Sequence, residues 1–208
     1  MKNLILFLSL ITLFSLDLKS SHNPGGDVRI EQIGANQFIL HYRLLSEWLP
    51  TPSSIGTNIY DNVTDTLVLT ITINRDSILH YINGNDTVGI NFYSDTLTLQ
   101  NNPNGYYTTH SICCRTAVLN TNNDGIVYTC MFPDPAIFGR NSNPNFTESP
   151  GRVNMCVNQS KTLDFSCIDS DGDSLVYSLI NPYAFTATGG KKPFTFVSYN
   201  LGFSLSNI

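Results

Sequence analysis

The sequence predicts an all-β protein made of β-sandwich modules, and three features lead to that class. Asn, Thr and Ser crowd the chain while the helix formers Ala, Glu and Lys are scarce, a balance that favours strands and turns. Short segments in which apolar and polar residues alternate recur at intervals of roughly 8 to 12 residues. Clusters of Asn, Gly and Pro stand between them, as turn chemistry requires.

Ahead of the first such segment come Met1-Lys2-Asn3, an apolar run over 4–16, and the polar exit Asp17-Leu18-Lys19-Ser20-Ser21. An apolar run of about 13 residues is too short for the roughly 20 that a spanning helix needs, so residues 1–21 read as a cleaved secretory signal peptide. Cleavage leaves a mature chain of roughly 185 residues starting at His22, enough for one large sandwich or two small ones. The expected location is outside the cytoplasm, secreted or at the cell surface after passage through the periplasm, and not membrane-spanning. Only 13% of residues are charged, the net charge is −5 and no basic cluster occurs. An electrostatic footprint for nucleic acid or an anionic membrane is therefore absent from the sequence.

Residues 28–33 and 37–45 flank the Gly34-Ala35-Asn36 turn and read as an opening hairpin. The breakers Pro50, Pro52, Ser53, Ser54 and Gly56 make 48–62 a long loop. Over 66–73 threonine alternates with branched apolar residues, giving the clearest strand, with Val68 or Leu69 beginning its buried face. Further strands are expected at 77–82, 88–93, 96–100, 106–114, 117–119 and 126–132, with turns at 101–105 and 120–125. The Pro-, Asn- and Gly-rich texture of 133–150 reads as a linker and puts a boundary near Asn141. That division makes 22–140 an N-terminal sandwich and 141–208 a second domain. Strands at 152–157, 162–167, 175–180 and 194–199 fall short of the seven or so in an immunoglobulin-like sandwich, so the second domain is expected to be incomplete.

Three stretches carry a family resemblance. They are Ser21-His22-Asn23-Pro24-Gly25-Gly26-Asp27-Val28, then Gly105-Tyr106-Tyr107 with Ile112-Cys113-Cys114-Arg115, then Asn141-Ser142-Asn143-Pro144-Asn145-Phe146 leading through Cys156-Val157-Asn158-Gln159 to the run 169–179. In that order they resemble the N-terminal region of the large secreted surface proteins of Bacteroidota known as gliding motility-associated or adhesin-like. The resemblance implies a multi-domain cargo of the type IX secretion system, with immunoglobulin-like or cadherin-like modules, of which this chain would be the N-terminal part. One departure is Arg43-Leu44-Leu45-Ser46, where the family usually has an Arg-Asp-Cys step after its second strand.

Five cysteines in an exported chain point to disulfides, and the odd count leaves at least one unpaired within it. Cys156 and Cys167 flank the turn at 158–161 and form the preferred pair, worth roughly 3 kcal/mol in the chain-entropy picture. Cys113 and Cys114 point to opposite faces of their strand, so one or the other is expected to meet Cys130. Adjacent cysteines lack the spacing of zinc and thioredoxin motifs, and the four histidines are scattered.

Asp169-Ser170-Asp171-Gly172-Asp173 sets three carboxylates at alternate positions, the hard oxygen donors that calcium prefers. It is not an EF-hand, because glycine falls at the fourth loop position and Ile180 stands where the bidentate Glu belongs. Two readings follow. One is a plain hairpin turn between 162–167 and 175–180, with Asp171-Gly172 supplying left-handed backbone. The other is a weak calcium site on Asp169, Asp171 and Asp173, the cation relieving their repulsion.

Aspartate, hydroxyl, apolar tripeptides at Thr66, Ser77, Thr87, Thr96 and Ser174 resemble the O-glycosylation signal of exported Bacteroidota proteins, and equally the ordinary start of a strand after an Asp turn. Trp48, Tyr42, Tyr60, Tyr106 and Tyr107 are candidates for a sugar-stacking platform. The sequence holds no Gly-x-Ser-x-Gly elbow, His-Glu-x-x-His pair or phosphate-cradling glycine loop. One remote catalytic route is a copper-dependent polysaccharide monooxygenase, with His22 as mature N-terminus and His41, His80 or His110 as second ligand. The expectation is a non-catalytic scaffold or adhesion module facing an extracellular protein or glycan surface, with calcium as its one candidate ion. A carbohydrate-binding module is the alternative.

Overall fold

The computed structural model describes residues 23–47, 51–83, 86–113, 125–147, 158–185 and 190–199. They are nearly all β, as the composition predicts. The opening hairpin forms: β1 (Gly26–Gln32) pairs antiparallel with β2 (Gln37–Ser46), and the amides of Ile33 and Gly34 both donate to the Gln37 carbonyl in the turn. Strict alternation on β2 buries Phe38, Leu40, Tyr42 and Leu44 and leaves Ile39, His41, Arg43 and Leu45 on the other face.

Part of the expected loop 48–62 is a strand instead. β3 (Ser54–Asp61) inserts Ile55, Thr57 and Ile59 into the interior, because the prolines lie ahead of it and Gly56 falls on its outer, open face. The strands expected at 66–73 and 77–82 are one: β4 (Leu67–Asn83) runs through both, and the interruption at Arg75/Ser77 is a register shift within the strand. Leu69, Ile71 and Ile73 turn inward and Val68, Thr70 and Thr72 outward. Likewise 88–93 and 96–100 merge into β5 (Asp86–Thr98), and β6 (Tyr106–Ile112) and β7 (Gly125–Phe132) follow. The strand expected at 117–119 lies outside the described residues.

The first half of β4 pairs with β3 and its second half with β5, so β4 passes from one layer to the other. The sheet order is β1-β2-β5-β4-β3-β6-β7, extended by β10 (Tyr183–Phe185) and β11 (Thr195–Phe196). This antiparallel sheet curls until β1 lies against β7, enclosing one core of Ile30, Phe38, Leu40, Ile59, Ile73, Leu97, Ile126, Phe132 and their neighbours. A short helix, α1 (Pro135–Phe138), follows β7 and is capped by Asp134, whose carboxylate accepts from the Ala136 amide.

Hydrogen bonding crosses the boundary expected near Asn141. The Asn143 amide donates to the Ile30 carbonyl, its side-chain oxygen accepts from the Ile30 amide at 2.8 Å, and its side-chain amide donates to the Met131 carbonyl at 3.0 Å. Ser142 Oγ accepts from the Gln32 amide and Gln32 Oε1 from the Asn141 amide. Residues 141–143 thus clasp the edge of β1 to β7, and β10 pairs with the first residues of β7, Gly125 and Ile126, on the side away from β6.

The hairpin expected from 162–167 and 175–180 does not form. Cys167–Ile168 is a two-residue strand, β9, paired with β8 (Asn145–Phe146), and 175–180 is not a strand; Val176 is 95% exposed. Alternation without a cross-strand partner gives these residues nothing to pack against. The strand expected at 194–199 shortens to β11, and 152–157 lies outside the described residues.

Candidate functional site

An ion pair beside a cavity is one feature that sequence reasoning passed over. Asp27 and Arg43 are cross-strand partners on β1 and β2. Arg43 Nε donates to Asp27 Oδ2 at 2.6 Å, and the two side chains are only 26% and 15% exposed. Burial raises the Asp27 carboxyl above its ordinary value, and the Arg43 charge offsets only part of that effect. Arg43 Nη2 is buried with no hydrogen-bond partner. A cavity of about 270 Å³ opens beside the pair, walled by Pro24, Leu45, Phe146 and Phe165 and floored by Gly25 and Gly26. A Cβ on Gly26 would stand 2.4 Å from the Arg43 carbonyl, so this approach of the two strands needs glycine. The available signal was an Asp and an Arg at mirrored positions of the predicted hairpin.

The interior also carries polar groups. Tyr42 OH lies 2.7 Å from Thr57 Oγ1 and 3.2 Å from Thr108 Oγ1, and Thr57 Oγ1 donates to the Thr109 carbonyl. His110 sits next to them with its ring edge-on to Tyr42 and stacked on Tyr128. Its Nδ1 donates to the Gly56 carbonyl at 2.6 Å, and its Nε2 is buried without a partner. Burial lowers the His110 pKa, because a charged ring there would lose its hydration. The unfolded chain therefore takes up a proton that the folded chain refuses. Stability is expected to decline as pH falls below about 6.5, by up to roughly 1.4 kcal/mol per unit, and to level off below the folded pKa. His41, also lowered chiefly by burial, adds to the same slope. Urea melts between pH 7.5 and 5 check it: His110→Asn is expected to flatten the slope, and an unchanged slope contradicts the assignment.

The histidines offered as copper ligands do not gather. His41 Nε2 contacts Glu31 Oε2 at 3.2 Å on the outer face, His80 is exposed on β4 and His110 is interior. His22 lies outside the described residues.

Cys130 and Cys167 are free thiols, and Cys113 is disulfide-bonded. The expected pairs of Cys130 with Cys113 or Cys114, and of Cys156 with Cys167, are therefore not formed. Register explains the first: Cys130 faces Thr108, whereas Cys113 follows Ile112, the partner of Ile126 at the other end of β7. At about 3.3 Å per residue the two lie roughly 17 Å apart, far beyond disulfide reach. Cys114 and Cys156 lie outside the described residues. The Cys130 thiol packs against the core, and burial pushes its pKa up to about 12. Iodoacetamide at pH 8 is expected to modify Cys167 in the native protein and Cys130 only after denaturation, as peptide mass mapping would show. Equal native rates would contradict the burial.

In the acidic turn, Gly172 adopts φ 84°, the left-handed backbone expected of it. Asp169 Oδ1 accepts from the Asp171 and Asp173 amides. Asp171 accepts from the Ser142 amide at 2.6 Å and pairs with Arg140 at 3.3 Å, while Asp173 accepts from the Asn141 side chain. Each carboxylate is thus engaged by the chain itself, and the turn docks on the 141–143 clasp. Among the described residues no three His, Cys, Asp or Glu are grouped to hold a metal.

The aromatic platform is not an open one. Tyr42 and Tyr106 point into the core, and Tyr60 and Tyr107 stack at 5.1 Å on the opposite face with Tyr107 fully buried. Lys192 Nζ lies 4.3 Å over the Tyr107 ring and Phe194 meets it edge-on, so the 190–199 segment covers that face. Trp48 lies outside the described residues. No helix among the described residues is long and apolar enough to cross a membrane. Comparison with known families, curated proteins and solved structures finds no match to this chain.

Proposed function

We propose that this chain is an exported, non-catalytic scaffold or adhesion module at the cell surface, the N-terminal part of a larger gliding motility-associated-like protein. The observation that carries the reading is the 141–143 clasp. Among the polar residues that the sequence singled out, Asn143 ties β1 to β7, Asn141 and Ser142 hold Gln32 of β1, and Asp171 and Asp173 hold Ser142 and Asn141 in turn. Such closure gives a surface module resistance to edge-to-edge association. The signal-like leader supplies the direction of travel. Immunoglobulin-like or cadherin-like modules belong to the same reading. Thr66, Ser77, Thr87, Thr96 and Ser174 are its O-glycosylation sites, and all five are exposed.

The test is expression in a Bacteroidota host followed by mass spectrometry of the product. A mature N-terminus at His22 on surface-accessible protein is expected, with hexose-containing mass on peptides bearing those hydroxyls. Met1 retained on a cytosolic species would overturn the reading. Glycan-array binding that survives loss of the exposed hydroxyls would favour a carbohydrate-binding module instead.

A further inference from the structure

We propose that residues 190–199 form a releasable strap, so that the molecule has a second, open state in which the outer face of β6 and β7 is bare. That face carries Tyr107, Thr109, Ser111, Val127 and Thr129. Thr109 pairs with Thr129 and Ser111 with Val127, while Thr108 and His110 between them turn inward to Tyr42. Tyrosines and hydroxyls of this kind suit the solvated face of an antiparallel sheet, where water partners every hydroxyl. In the closed molecule two of them have lost that partner: Ser111 Oγ and Thr129 Oγ1 are buried with no hydrogen bond. Covering a hydroxyl without replacing its water is unfavourable.

Few contacts offset that loss. Of residues 190–199 only Gly190 and Val197 are buried, and Phe196 stays 50% exposed. β11 pairs with β10 over two residues, and β10 with β7 over two more. Lys192 supplies a polar hold: its Nζ donates to the Asn62 carbonyl at 3.0 Å and lies 4.3 Å over the Tyr107 ring, which Phe194 meets edge-on. A segment with so little buried apolar surface and so short a ladder belongs to the low end of local stability. Its seat is nonetheless specific. Gly190 has φ 75°, and a Cβ there would collide with Ser111 Oγ, so the strap backbone rests directly on the face. A close fit with a weak hold is that of a cover that lifts as a unit, and what it uncovers is the stacked Tyr60–Tyr107 pair beside a row of hydroxyls. The inference goes beyond the adhesion reading and does not rest on export.

The experiment is thiol trapping on the purified full chain carrying Thr109→Cys, a position 2% exposed between Tyr107 and Ser111. Iodoacetamide is applied at pH 8 over a series of urea concentrations below the unfolding transition. Peptide mass mapping follows the introduced thiol beside Cys130, which packs on the core and reports its opening. The introduced thiol is expected to react at least about tenfold faster than Cys130 and with little dependence on urea, because only the strap has to move. Gly190→Ala in the same chain drives a wedge under the strap. It is expected to raise the introduced thiol's rate about tenfold and to leave the Cys130 rate and the melting temperature unchanged. Three results would each overturn the proposal. They are one rate and one urea dependence for both thiols, an introduced thiol as fast as Cys167 and therefore uncovered, or a Gly190→Ala protein in which both rates rise together. Should Thr109→Cys fail to fold, hydrogen exchange of the parent decides. The amides of 195–197 are expected to exchange at least about tenfold faster than those of Thr108 and Thr109 beneath them, and equal rates would make the strap part of one cooperative fold.

Discussion

Phe38→Ala is expected to lower the melting temperature by about 10 °C. Phe38 is 2% exposed at the start of β2, with its ring 5.5 Å from Phe132, which in turn lies 5.6 Å from Tyr106. These three rings join β2, β6 and β7 across the interior, so truncation opens a cavity that backbone held in paired strands cannot collapse to fill. Losses of this kind run to about 3–5 kcal/mol. A chain of this size loses about 2–4 °C per kcal/mol, and thermal circular dichroism reads the shift directly. A change under about 3 °C would mean that Phe38 is not part of the core.

Asn143→Ala is expected to destabilise by about 2–3 kcal/mol although the side chain it removes belongs to no strand. Asn143 accepts from the Ile30 amide and donates to the Met131 carbonyl, joining β1 to β7 where the curled sheet meets itself. Ile30 is fully buried, so its orphaned N–H would have no water to turn to. Urea unfolding measures the loss, and hydrogen exchange localises it. The Ile30 and Gln32 amides are expected to exchange faster, and those of Leu40 and Tyr42 in the sheet interior only as much as global stability falls. Asn143→Asp keeps the acceptor and removes the donor to Met131, so an intermediate loss is expected. Equal stability of parent and Asn143→Ala would leave the seam without its clasp.

The same residues show how far local pattern reaches. Asn141-Ser142-Asn143 has a linker's composition, and Asn and Ser are common in loops because they satisfy backbone groups. Here the groups they satisfy belong to Gln32, Ile30 and Met131, about a hundred residues away along the chain in the case of β1. Composition announces the capacity for such bonds but not the partner. The Asp27–Arg43 pair was closer to legible, since it lies across a hairpin whose turn is readable. The cavity beside it was not, because Phe146 and Phe165 reach the cavity from another part of the chain.

Period-two alternation along β2 and the first half of β4, together with turn residues at Gly34-Ala35-Asn36, was enough to establish strands and one hairpin. These features are set by neighbours within a few residues. Pairing across the molecule decided the rest. It made Asp76 the extra residue of a register shift inside β4 where the sequence suggests a break, recruited Ser54–Asp61 into the sheet past two prolines, and left 175–180 unpaired despite a fair strand pattern. A strand exists only when another strand takes its hydrogen bonds and covers its apolar face, and that partner is chosen by the whole chain.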